Sequence, residues 1–132
     1  MQEYNIPYTT GKNGVYYHHE IAVQQNLNEG VRQHNPMIGD IVFFDNTTGS
    51  NKPLSHEGIV ITAGYDDDQT VVFIDASNSG VGIKYLNTVY PSVNILNGKR
   101  INTALAKSPC TQCYAGELFA GYATIDNVVQ NK

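Results

Sequence analysis

Ser55-His56-Glu57-Gly58-Ile59-Val60-Ile61 and, after a polar break, Val71-Val72-Phe73-Ile74-Asp75-Ala76-Ser77 are the two runs on which the fold turns. Both carry the β-branched and aromatic residues of strands, and Gly64-Tyr65-Asp66-Asp67-Asp68 between them reads as a hairpin turn. A turn centred near Tyr65 and Asp66 sets His56 directly across from Asp75, on one face, with Cβ atoms about 5 Å apart. An imidazole beside a carboxylate is what a nucleophilic hydrolase needs. The carboxylate fixes the tautomer, and the free ring nitrogen takes a proton from a thiol or hydroxyl. A plain surface ion pair fits the same placement.

Working outward, Pro36 and Gly39 precede Asp40-Ile41-Val42-Phe43-Phe44, a short apolar run of strand composition. Residues 46 to 53 form a polar loop, and further strands are expected over Gly58–Thr62, Thr70–Asp75 and Val81–Leu86, with a last one over Ile101–Ala106. Residues 1 to 17 are turn-rich. His19–Val31 has helical composition, and Ala115–Val129 reads as a second helix despite Gly116 and Gly121. The expectation is an α+β fold: one domain over residues 1–132, a small antiparallel β-sheet or half-barrel with flanking helices.

The 132 residues carry a formal net charge of −4 with charges well mixed, which argues against nucleic acid as the main ligand. No apolar run approaches membrane-spanning length and no signal peptide opens the chain, so composition leaves localisation open. The two cysteines, Cys110 and Cys113, form one C-x-x-C. No second C-x-x-C completes a zinc site, and the adjacent His18 and His19 would point to opposite faces of a strand. No metal or cofactor is expected, and a local disulfide or two free thiols is the ordinary reading of the pair. Glu57 points away from the dyad, Asp66-Asp67-Asp68 lacks calcium-loop spacing, and Lys99-Arg100 reads as a solvated pair.

Four segments in order carry a resemblance: Gly39-Asp40-Ile41-Val42-Phe43-Phe44, Ser55-His56-Glu57-Gly58-Ile59, Phe73-Ile74-Asp75-Ala76-Ser77 and Gly80-Val81-Gly82-Ile83. Together they resemble the successive strand motifs of the NlpC/P60 cysteine peptidases, from about Gln25 to Leu86. The resemblance implies that His56 is the catalytic base and that Asp75 stands where the family's third polar residue, usually histidine, orients it. It further implies cleavage of an amide in peptidoglycan stem peptides, typically after γ-D-glutamate, and a secreted or cell-envelope location. The CHAP amidases share similar strand motifs.

The family's D-C-S-G nucleophile motif, which opens a helix where the helix end lowers the thiol pKa, has no counterpart before Cys110. Three arrangements are open: a nucleophile helix upstream of this chain, a homologue that binds without cutting, or a permuted order with the nucleophile helix last. The third makes Cys113 the nucleophile, from Cys113-Tyr114-Ala115-Gly116-Glu117-Leu118-Phe119. Aligning Glu117-Leu118 with the C-S-E-L of permuted relatives puts Ala115 on that position instead. The expectations are therefore a cell-wall peptide hydrolase with catalytic His56, Asp75 and Cys113, or else a catalytically inactive binding domain. A stem peptide or similar small peptide is the expected partner, with no membrane span, and a homodimer through an exposed edge left by a missing helix.

Overall fold

The computed structural model describes residues 31–48, 53–62, 69–77, 80–106 and 110–124. In chain order the elements are β1 (Val31–Arg32), β2 (Ile41–Phe44), β3 (His56–Thr62), β4 (Val71–Ser77), β5 (Gly80–Leu86), β6 (Ile95–Leu96), β7 (Lys99–Arg100), α1 (Ala115–Leu118) and β8 (Phe119–Ala123). Six strands make one sheet in the order β1-β8-β2-β3-β4-β5, antiparallel at every step. β6 and β7 form a separate two-residue ladder.

Period-two alternation divides the sheet's side chains between two faces. Val42, Phe44, Val60, Val71, Phe73, Leu86 and Tyr122 point to one face, where Ala106, Ala115 and Leu118 cover them. Ile41, Phe43 and Ala123 belong to the other face. All four residues of β2 are buried, so it reads as an unbroken apolar run rather than an alternating one. Each such fully buried side chain contributes about 1.5–3 kcal/mol relative to exposure.

The α+β expectation with flanking helices is overturned, because among the described residues the protein is a mostly antiparallel β structure whose helix spans only four residues. The helix expected over Ala115–Val129 stops at Leu118, and the chain runs straight on into β8. Two features explain the change. Gly121 sits at φ +138°, outside any helix, and an added Cβ there would lie 2.5 Å from Val31 Cγ1. β8 also lies between β1 and β2, so its backbone groups gain two sheet partners, more than an isolated helical end with two glycines offers. The segment expected as a strand over Ile101–Ala106 holds only an isolated bridge, Ala104 to Tyr114. Of the helix expected over His19–Val31, residues 19 to 30 lie outside the described residues and Val31 is in β1.

β8 carries a bulge. Phe43 pairs with Gly121 but Phe44 pairs with Phe119, so Ala120 is the extra residue. That insertion turns Phe119 onto the face of Tyr122, three positions on, with ring centroids 4.8 Å apart. It also lets Asp45 N–H donate to Leu118 C=O at 2.8 Å, tying the end of α1 to the end of β2.

Two buried polar groups organise the rest. Asn102, fully buried, accepts from the backbone N–H of Asn87 and Gly116 through Oδ1, both at 2.8 Å. Its Nδ2 donates to the carbonyls of Tyr90 at 2.9 Å, Val93 at 3.0 Å and Asn87 at 3.3 Å. Flipping the amide would set donors against donors, so the surroundings fix its orientation. At the other end, Arg32 pairs with buried Asp40 at 2.6 Å, and Asp40 also accepts from Met37 N–H at 2.9 Å. Burial pushes the nearby Tyr122 hydroxyl well above its ordinary range, the Asp40 carboxylate adding to the effect and Arg32 opposing it.

Candidate active site

The dyad forms. His56 Nε2 lies 2.6 Å from Asp75 Oδ2, on the core face at the start of β3 and near the end of β4. The route differs from a direct cross-strand pair. Ile59 pairs with Ile74 and Val60 with Phe73, so Asp75 stands two residues short of the position opposite His56. The pair is diagonal. A two-residue offset keeps both side chains on one face, whereas an offset of one would have separated them. The turn between the strands falls within residues 63–68, outside the described residues.

Glycines make the diagonal reach possible. Asp75 is opposite Gly82 on β5 and, one step on from the Ile59–Ile74 pair, opposite Gly58 on β3. With no Cβ on either side, longer side chains can lean over the carboxylate from both neighbouring strands. His56 does so from β3, and Lys84 from β5, its Nζ 3.0 Å from the same Oδ2. The Phe73 ring fills the space over Gly58, where an added Cβ would meet Phe73 Cδ2 at 2.7 Å. Phe73 stacks at 5.1 Å on Phe44, whose ring lies 6.3 Å from the imidazole. The imidazole therefore has an aromatic wall on one side and an anion at its tip.

Burial is unequal across the cluster. The Asp75 side chain is 0% exposed, whereas His56 and Lys84 retain 20% and 22%. Asp75 Oδ1 has no hydrogen-bond partner among the described residues. An ionised carboxylate only accepts, so a neutral His56 donates through Nε2–H and keeps its lone pair on Nδ1. Nδ1 is thus the nitrogen able to act as a base. A fixed, partly exposed imidazole with one free nitrogen can take a proton from a nucleophile and return it to a leaving group.

Cys113 is not part of this cluster. Its sulfur is bonded to Cys110, and no hydrogen bond joins it to His56 or Asp75. The disulfide removes the thiolate that a nucleophile requires, so Cys113 is no catalytic thiol in this state. Ala115, the alternative position, begins α1 and is fully buried in the core. Among the described residues no three His, Cys, Asp or Glu side chains gather where a metal would bind, and no helix is long and apolar enough to cross a membrane.

Sequence reasoning missed Lys84 and Phe44. The signal for Lys84 was available in the β4–β5 hairpin: Asp75 faces Gly82, so Lys84 is its diagonal neighbour on the same face. Fold and site together define a class, an antiparallel β domain with a buried Asp carboxylate joining a His and a Lys on its core face. The chain matches no family model, no curated protein and no solved structure.

Proposed function

We propose that this chain is an amide hydrolase of the cysteine peptidase kind, acting on cell-wall stem peptides, with His56 as the proton-transfer group and Asp75 as its orienting anion. The observation that carries the reading is the 2.6 Å contact between His56 Nε2 and the fully buried Asp75 carboxylate, which leaves Nδ1 free. The substrate class rests on the resemblance of the strand motifs to NlpC/P60 peptidases, not on a pocket. In the reaction a thiolate attacks the amide carbon and a tetrahedral intermediate forms. His56 then protonates the departing amine, and water hydrolyses the resulting thioester.

The chain's two sulfurs are withheld by the Cys110–Cys113 bond. Attack by Cys113 requires two electrons and two protons from an external dithiol, which free both thiols. The experiment follows from that. A γ-D-glutamyl stem peptide is incubated with the protein, with and without dithiothreitol, and released amine is measured by mass spectrometry. Turnover is expected only under reduction, lost in His56→Ala and Cys113→Ser, kept in Cys110→Ser and lowered in Asp75→Asn. Absence of turnover in the reduced protein removes the hydrolase reading for this chain.

A second reading is favoured by two observations, the disulfide and the Lys84 ammonium on the same carboxylate oxygen. Both suit a non-catalytic domain that binds peptides, in which the ion-pair cluster holds the sheet end. Binding of the same peptide by calorimetry, equal in oxidised and reduced protein and unchanged in Cys113→Ser, would select it.

A further inference from the structure

Among the described residues the outer edge of β5 is open at Val81 and Ile83, and its chemistry there is that of an interface. Tyr85 marks which backbone groups face outward, since its C=O accepts from Thr103 N–H at 3.0 Å and its N–H donates to Thr103 Oγ1 at 3.0 Å. Backbone groups alternate along a strand, so Val81 and Ile83 also turn their N–H and C=O groups outward. Unlike Tyr85, these two have no partner among the described residues. Their side chains are 73% and 62% exposed. An edge with unpaired amides and bare apolar side chains templates the addition of another strand.

Edge strands are ordinarily guarded by a lysine, and β5 has one in Lys84. Its ammonium is drawn away to Asp75 at 3.0 Å on the core face and is only 22% exposed. The guard is spent on the ion pair. From Gly80 to Ile83 the strand is Gly-Val-Gly-Ile, with no charge to repel a copy of itself.

We propose that the partner of this edge is a second copy of the chain, paired antiparallel through β5 about a two-fold axis at Gly82. In that register Val81 of one protomer is opposite Ile83 of its partner, and the reverse. Both are outward-facing positions, so each pair exchanges two hydrogen bonds. The exposed Val and Ile side chains meet as cross-strand apolar pairs on the face opposite the dyad. Gly82 faces its own copy at the axis as a non-hydrogen-bonded pair, the closest approach in a sheet, about 4.5 Å between Cα atoms. A side chain is missing where the strands come nearest. The result is a continuous twelve-stranded sheet carrying both His56–Asp75 pairs on one face, with the two Asp75 residues three strand spacings apart, about 14 Å. The contact is short, so association is weak and concentration-dependent.

Sedimentation velocity over a wide concentration range, with a register-specific cross-link, tests the proposal. The wild type is expected to move from monomer to dimer as concentration rises, and Val81→Lys and Ile83→Lys are each expected to remain monomeric with unchanged far-UV circular dichroism. A Cβ at Gly82 meets nothing closer than Lys84 Cε at 3.8 Å, so Gly82→Cys fits the fold. Under mild oxidation it is expected to form a disulfide dimer at least about tenfold faster than Val89→Cys, an exposed position off the edge. A wild type that stays monomeric, a dimer that survives both lysines, or equal cross-linking of the two cysteine variants would overturn it.

Discussion

Replacing Asn102 by alanine removes one carboxamide that serves five backbone groups. Two of them, the N–H groups of Asn87 and Gly116, lose their acceptor at 2.8 Å. An orphaned buried donor costs about 1–3 kcal/mol. The three carbonyls of Tyr90, Val93 and Asn87 lose a shared donor, a smaller loss because a carbonyl tolerates underuse better than an N–H does. The site is fully buried, so the missing atoms also leave a void. Discounting for non-additivity among groups on one side chain, the expected loss is about 3–5 kcal/mol. Against a typical domain stability of about 5–15 kcal/mol, that is a large fraction. Urea unfolding followed by circular dichroism reads it as a lower midpoint with an unchanged slope. Asn102→Asp supplies the control. It keeps the acceptor and the shape but points an oxygen at three carbonyls, so at pH 7 it should be at least as damaging as alanine. Part of the loss should return in acid, where the carboxyl becomes a donor. A loss below about 1 kcal/mol for Asn102→Ala, or a wild-type midpoint for Asn102→Asp at pH 7, would refute the role assigned to this side chain.

Other outcomes follow from the same geometry. Gly58→Ala would set a Cβ 2.7 Å from Phe73 Cδ2 and 2.9 Å from the Ile74 carbonyl oxygen, and the second of these is backbone. A destabilisation of about 1–3 kcal/mol is expected, seen as a lower Tm, with the His56 ring resonances displaced in NMR spectra. Tyr122 has its pKa raised by burial, so the folded state holds the phenolic proton more tightly than the unfolded chain does. Its contribution is complete below the ordinary tyrosine pKa of 10.0 and falls as pH rises beyond it, by about 1.4 kcal/mol per pH unit until the folded pKa is reached. Denaturation midpoints between about pH 9 and 11.5 should therefore fall more steeply for wild type than for Tyr122→Phe, and parallel curves would count against that burial effect.

The dyad was legible in the sequence because it depends on parity, not on exact register. His56 and Asp75 share a face whether the hairpin pairs them directly or two residues apart, Gly82 leaves room over the carboxylate on the β5 side, and Gly58 admits the Phe73 ring beside it. The third member, Lys84, was also determined by alternation, but it becomes visible only once Asp75 is taken as the centre and both neighbouring strands are read. The C-terminal segment misled for a different reason. Ala115, Leu118, Phe119 and Tyr122 recur at helical spacing, and all of them do reach the core. They reach it through a four-residue helix joined to a bulged strand, an arrangement whose apolar periodicity imitates a single helix. No local pattern announced that β8 would be inserted between β1 and β2, since that placement depends on partners about 80 to 90 residues away in the chain. The state of Cys110 and Cys113 was equally hidden, because a C-x-x-C has the same spelling bridged or reduced.

The extra residue in β8 makes the length of this strand a matter of arithmetic. Ahead of Ala120 the chain counts core positions by one parity, and beyond it by the other. Removing Ala120 would leave a regular strand in which Phe119 still lies opposite Phe44 on the face of Tyr122, and Leu118 C=O still meets Asp45 N–H at the end of β2, beside His56. Counting is therefore slack at this point: the bulge can give up its one unpaired residue without changing which side of the sheet the preceding helix occupies. β8, separated from the strand of His56 only by β2, thus carries one residue that its register against β2 does not need.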